Sequence, residues 1–134
     1  IIANNVPLGG HVIVEDSVVI GGNSAVQQFT RIGRMAMIGG MTGVLKDVIP
    51  FGLSVGNRNH LQGLNLIGLR RKNYENKKIM ELNKAYDEIF SSKNLQENLT
   101  KINGQFKDNE LVEEVINFIA KDKKRAICTP LNKD

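Results

Sequence analysis

The sequence predicts a parallel β-helix built from hexapeptide repeats, followed by a small all-α domain, and three observations carry that expectation. From Ile2 to Val44 an aliphatic residue recurs at every sixth position: Ile2, Leu8, Val14, Ile20, Val26, Ile32, Ile38 and Val44. Four positions after each stands a small or β-branched residue, namely Val6, Val12, Val18, Ser24, Thr30, Ala36, Thr42 and Val48. Gly9, Gly21, Gly33 and Gly39 directly follow the aliphatic residue, where the chain must turn with little side-chain bulk. Neither a helix period of about 3.6 nor a strand period of about 2 requires such spacing. A parallel β-helix does, because each hexad supplies one short strand and one turn, and three hexads close one triangular coil. Coils rise only about 4.8 Å each, the spacing of paired strands, so their stack offers flat walls to a long, thin substrate.

The β-helix coils are expected over residues 1–55, and a linker with the helical domain over residues 56–134. After Val48 the hexads decay, and Pro50 falls where the next aliphatic residue would stand. Pro50 to Asn59 carries two glycines and reads as a loop leaving the last coil. Leu61, Leu64 and Leu69 suggest a short first helix, interrupted by Gly63 and Gly68. Ile79, Leu82, Tyr86, Ile89 and Phe90 form the apolar stripe of a second helix. Leu95, Leu99 and Ile102 mark a third. Leu111, Val112, Val115, Ile116 and Ile119 mark a fourth, with Asp108 or Asn109 placed to cap it. The chain opens on Ile1, already in register with the repeat. An uncapped solenoid end recruits other strands, so these residues are expected to be the C-terminal part of a longer solenoid.

Composition points to a cytoplasmic protein. No apolar run approaches the ~20 residues that cross a bilayer, and no signal-peptide pattern stands at the start. The single Cys128 makes neither an internal disulfide nor a zinc cluster and reads as a packed, reduced thiol. The net charge of +4 is uneven: from Leu64 onward fourteen Lys/Arg stand against eleven Asp/Glu. Lys121 to Arg125 place positive charge at the end of the fourth helix, where the helix dipole favours it.

No self-contained catalytic motif appears. The two histidines, His11 and His60, have no carboxylates or thiols spaced for a metal, and neither a metal nor a cofactor is expected. Gly9-Gly10-His11 admits two readings. Its glycines let backbone amides approach a ligand and donate to a developing oxyanion. Alternatively they are ordinary hexad turn residues, with His11 in solvent.

The runs Ile2-Ala3-Asn4-Asn5, Leu8-Gly9-Gly10-His11-Val12, Ile20-Gly21-Gly22 and Val26-Gln27-Gln28-Phe29 resemble the acyl-carrier-protein-dependent UDP-N-acetylglucosamine O-acyltransferases that begin lipid A synthesis. The resemblance continues through Gly39-Gly40, Asp47-Val48, Gly56-Asn57 and Gly68-Leu69-Arg70-Arg71 into the helical tail, and so spans the chain. Many hexapeptide acyltransferases share the coils, but few carry a multi-helix C-terminal domain of this length. The resemblance implies a left-handed parallel β-helix, an exception to the usual right-handed crossover, assembled as a homotrimer with active sites between subunits. It implies transfer of a 3-hydroxyacyl group from acyl carrier protein to the 3-hydroxyl of UDP-N-acetylglucosamine, with no nucleic-acid partner and no membrane span.

Residue by residue, the family's general-base histidine falls upstream of Ile1, so the chain as given is expected not to catalyse; such a base contributes roughly 10²–10⁴ in rate. Gly10 matches a glycine whose N–H resembles an oxyanion-hole donor. His11 matches a histidine near the sugar and acyl chain, and Gln28 a substrate-contacting glutamine. Asn65 and Arg71 match residues that reach the nucleotide, where a guanidinium fork suits a diphosphate. Lys72 stands where a second arginine is common. Met37 and Gly40 match the positions that set acyl length, a discrimination of about 1–3 kcal/mol per methylene. Gln27 replaces an expected histidine and Ile67 an expected acidic group, and these departures leave the nucleotide contacts open. The basic residues Arg70, Arg71, Lys72, Lys121, Lys123, Lys124 and Arg125 are expected to help dock the acidic carrier. Two other classes remain: another hexapeptide acyltransferase, N-acyl or acetyl-coenzyme A dependent, and a non-catalytic trimeric scaffold.

Overall fold

The six-residue period appears as short strands in three separate parallel ladders. The computed structural model describes residues 1–131. Its first strands are β1 (Ile13–Val14), β2 (Val19–Ile20), β3 (Ala25–Val26), β4 (Arg31–Ile32), β5 (Met37–Ile38) and β6 (Gly43–Val44). Ile13 pairs with Arg31, Val19 with Met37 and Ala25 with Gly43, so the chain returns to the same ladder after three hexads. The repeating aliphatic residues point inward: Ile20, Val26, Ile32, Ile38 and Val44 are at most 4% exposed. Ile2 and Leu8, in the first described circuit, are 46% and 43% exposed. The small residues four positions on fill the inside of each corner. There the Ser24 and Thr42 hydroxyls donate to the Gly39 carbonyl at 2.9 and 2.6 Å, leaving no polar cost in the core.

The corners are made differently from the glycine turns the sequence suggests. Asn5, His11, Ser17, Asn23, Phe29, Met35 and Met41, six residues apart, all have φ between 58° and 65°. A left-handed residue therefore stands at the third place after each inward aliphatic, and none of these is glycine. Each such residue costs roughly 1–2 kcal/mol. The compensation is visible along the stack, where the Asn23, Phe29, Met35 and Met41 N–H groups donate to the carbonyls of Asn4, Gly10, Asp16 and Gly22 at 2.9–3.1 Å. Gly9, Gly21 and Gly33 answer a different need. A Cβ at Gly21 would stand 2.5 Å from the Gly40 nitrogen, and at Gly33 it would stand 2.7 Å from Pro50 Cδ. These glycines are set by the close approach of the next circuit.

Three expectations for residues 44–65 are corrected. Val48, and not Pro50, follows Val44 on the inward face. Val48 pairs with Ile32, and Leu53 with Met37, so the last circuit is two residues shorter than those before it. The shortened corner leaves backbone groups that buried Asn59 satisfies: its Oδ1 accepts from the Leu45 and Lys46 N–H groups, and its Nδ2 donates to the Lys46 carbonyl. Residues read as a loop contain β7 (Gly52–Val55), and Leu61 and Leu64 lie on β8 (His60–Leu64) and not on a helix. β7 pairs in parallel with β5 and antiparallel with β8. Leu53 faces Gly63 while Ser54 faces Leu61, so Gln62 is an inserted residue. That bulge buries both Leu61 and Leu64, three apart, and so imitates a helical spacing.

The chain divides into two compact units, Ile1–Asn65 with the segment from Asp122, and Leu66–Lys121. This differs from the expected division at 55/56, because β7 and β8 extend the first unit and the last residues return to it. Ile127 bridges Asp47 and Pro130 bridges Leu61. Buried Asp47 receives Arg31 Nε at 2.7 Å and Arg125 Nη2 at 3.2 Å. The second unit holds α1 (Leu66–Arg71), α2 (Asn76–Ile89), α3 (Leu95–Ile102) and α4 (Glu110–Lys121). The last three stand where the second to fourth helices were expected, but Asn98 and Phe118 are buried while Leu95, Leu99 and Ile116 are only partly so. Asn109, and not Asp108, caps α4, its Oδ1 accepting from the Leu111 and Val112 N–H groups. Among the described residues no helix is long and apolar enough to cross a membrane.

Cys128 is fully buried and 3.5 Å from the Ser54 hydroxyl, and burial pushes its thiol up to about 11. The protonated form is favoured in the fold, so this thiol lowers stability progressively as pH rises from about 9 toward about 11. At pH 8.5 a thiol reagent should modify Cys128 at the rate of unfolding, and urea should produce a burst of modification. Prompt labelling of the folded protein would contradict the packed placement.

Candidate functional site

One corner of the first unit carries most of the residues singled out from the sequence. The chain leaves the ladder of β3 and β6 at Gly9–His11 in one circuit and at Gln27–Phe29 in the next. The Gly9 N–H donates to Val26 O at 2.8 Å, and the Phe29 N–H donates to Gly10 O at 2.9 Å. Gly10, His11 and Gln28 are therefore neighbours on adjacent circuits, and all three are exposed. Gly10 and Gln28 line an open groove of about 500 Å³, and His11 stands next to Gly10 without lining it. Ala25 and Leu45 give the groove apolar side chains, and Gly10 and Gln28 give it a polar rim.

The two adjacent glycines differ in what the fold asks of them. A Cβ at Gly9 would collide with the Gln28 backbone, 2.7 Å from its Cα. A Cβ at Gly10 would meet nothing within 4 Å. Neither has a positive φ. Among the described residues the Gly10 N–H has no acceptor, which leaves it available as a donor on a residue that lines the groove. Packing requires glycine at position 9 but not at position 10.

The remaining candidates are not gathered at this corner. Met37 is on β5, between Val19 and Leu53 in the ladder, with 37% of its surface exposed. Gly40 is at the corner that leads into β6, where a Cβ would stand 3.4 Å from Gly22 O. Neither lines the groove. Asn65 is tied into the fold, since its N–H donates to Phe51 O at 2.7 Å and its Nδ2 to Met35 O at 3.0 Å. In the second unit, Arg71 and Lys72 are exposed at the end of α1. There Asn73, with φ 62°, closes the helix: the Asn73 N–H donates to Arg70 O and the Tyr74 N–H to Leu69 O. The basic triplet thus stands where the helix dipole is negative.

Residues 47–128, more than half of the chain, match the family described as UDP-N-acetylglucosamine O-acyltransferase, domain 2. The chain belongs to this family. The matched stretch begins and ends on residues whose backbones meet, since the Cys128 N–H donates to Asp47 O at 2.8 Å. An acyl-[acyl-carrier-protein]–UDP-N-acetylglucosamine O-acyltransferase from Sinorhizobium fredii is 40% identical over 131 residues, 97% of this chain and 48% of the relative. A UDP-N-acetylglucosamine acyltransferase structure from Campylobacter jejuni aligns over 98% of this chain and 50% of that one, with 31% identity and a TM-score of 0.85. The Arabidopsis UDP-N-acetylglucosamine acyltransferase structure aligns over 95% and 48%, with 36% identity and a TM-score of 0.88. The chain spans about half the length of the curated relatives it matches.

Sequence reading missed two features of this corner. Phe29 stacks on His11, and Arg125, read as part of a docking cluster, is instead committed to Asp47 and reaches Thr30 Oγ1 at 3.4 Å. The spacing of three hexads between His11 and Phe29 was the available signal for the first. Gly9→Ala should destabilise the protein by about 1–3 kcal/mol, as overpacking does. Gly10→Ala should stay within about 0.5 kcal/mol, the range of an unburdened surface change. Urea unfolding of both variants distinguishes a packing glycine from one reserved for a ligand, and equal losses would remove that distinction.

Proposed function

We propose that the chain is the C-terminal part of a cytoplasmic acyltransferase that moves a 3-hydroxyacyl group from acyl carrier protein to the 3-hydroxyl of UDP-N-acetylglucosamine, the opening step of lipid A biosynthesis. The observation that carries this reading is membership of the family over residues 47–128, supported by relatives about 40% identical across nearly the whole chain. The parallel ladders and left-handed corner residues fit a left-handed β-helix, and the enzyme is proposed to work as a homotrimer. Its general-base histidine is supplied from upstream of Ile1.

In this reading the free Gly10 N–H donates to the oxyanion that forms when the sugar hydroxyl attacks the thioester carbonyl. A preorganised donor of that kind is worth about 3–4 kcal/mol, because it meets charge that develops only in the transition state. His11 and Gln28 contact the substrate at the same corner. The apolar side chains of Ala25 and Leu45 suit the acyl chain, and Met37 and Gly40 set its length across the contact with a second subunit. Asn65, Arg71 and Lys72 are assigned to the nucleotide. Lys121, Lys123 and Lys124 remain candidates to attract the carrier, and Arg125 is withdrawn from that group by its ion pair with Asp47.

The test is to supply the full-length protein with 3-hydroxyacyl carrier protein and UDP-N-acetylglucosamine and to follow the acylated sugar nucleotide. Arg71→Ala should raise the sugar-nucleotide KM roughly tenfold or more with a smaller change in kcat, because phosphate contacts act alike in ground and transition states. No product would overturn the proposed reaction. Product with an unchanged KM would remove Arg71 from the nucleotide site and leave the reaction standing.

A further inference from the structure

The His11–Phe29 pair is a feature of the corner that neither the family match nor the groove explains. Its ring planes are parallel within 2° and their centroids are 5.0 Å apart. Both residues stand at left-handed corners, with φ of 58° and 65°. That shared conformation, one circuit apart, is what superposes the two side chains. Yet Phe29 is 51% exposed and contributes nothing to the inward core. A large aromatic ring that the core of its own chain leaves half-exposed, at a position with positive φ, is not accounted for by the packing of that chain.

We propose that Phe29 is the positioning residue for His11: its ring is a platform that holds the imidazole flat beside the groove, with the ring edge and its nitrogens presented to the substrate. This rests on the reading of the Gly10–His11–Gln28 corner as the substrate site. An exposed histidine alone would sample several rotamers, whereas a stacked one has lost most of that freedom before the substrate arrives. The platform itself is held from below. The Phe29 N–H is bonded to Gly10 O, Thr30 receives Arg125, and the Arg31 N–H donates to Asp47 Oδ1 at 3.0 Å. The returning C-terminal segment thus pins the backbone on which Phe29 stands, and Phe29 orients the residue that touches substrate.

A double-mutant cycle in the full-length protein tests the assignment. Stacking energies of this kind correspond to roughly 2- to 12-fold, so Phe29→Ala should lower kcat/KM by that order. In a His11→Ala background the same substitution should have no further effect, because the ring it positions is gone. Phe29→Tyr, which keeps the platform, should restore kcat/KM. An equal loss in both backgrounds would overturn the proposal, since Phe29 would then act directly or through the fold. An NMR measurement separates this failure from failure of the enzymatic reading, because it needs no turnover. Stacked under the Phe29 ring, the His11 carbon-bound ring protons should resonate upfield of a solvated histidine and move back in Phe29→Ala. Unshifted His11 protons in the unsubstituted protein would refute the platform whatever the activity.

Discussion

The parallel register that returns the chain to the same ladder after three hexads is the constraint on which the rest of the first unit depends. It stacks one inward aliphatic on another, and each fully buried one contributes about 1.5–3 kcal/mol. That gain must exceed the roughly 1–2 kcal/mol of each left-handed corner. The register explains why Gly9, Gly21 and Gly33 carry no side chain, since the next circuit passes where a Cβ would stand. It also superposes His11 on Phe29 and Gly10 on Gln28, residues that the sequence separates by a full circuit.

The repeat was legible because inward positions tolerate only aliphatic residues, and the six-residue period of Ile2 to Val44 survives in every hexad. The helices after Asn76 were legible for a similar reason, each having one continuous apolar stripe. The corners were not. A left-handed conformation is normally announced by glycine, and here it is supported by hydrogen bonds between circuits on asparagine, phenylalanine and methionine. β8 was misread because the bulge at Gln62 converts a two-residue alternation into the three-residue spacing of Leu61 and Leu64. The return of residues 122–131 was hidden because its anchors, Asp47 with Arg125 and Ser54 with Cys128, join positions more than 70 residues apart.

The candidate site was legible unevenly. Gly10, His11 and Gln28 were named from the sequence, and the structure brings them to one corner beside a groove. Asn65 was also named, but its main-chain and side-chain amides are occupied by Phe51 and Met35 carbonyls. Both bonds hold the exit from β8 in place. The distinction between Gly9 and Gly10 was invisible in the sequence, because the two differ only in what lies across from them on the next circuit.

The corner of Gly10, His11 and Gln28 is, on this account, where substrate is held. A crystal structure of the full-length protein with acylated UDP-N-acetylglucosamine measures this most directly. The expected result is an acyl carbonyl oxygen within about 3.1 Å of the Gly10 nitrogen, with the sugar against the edge of a His11 ring still stacked on Phe29. A ligand bound elsewhere, with the Gly10 N–H facing only water, would contradict it.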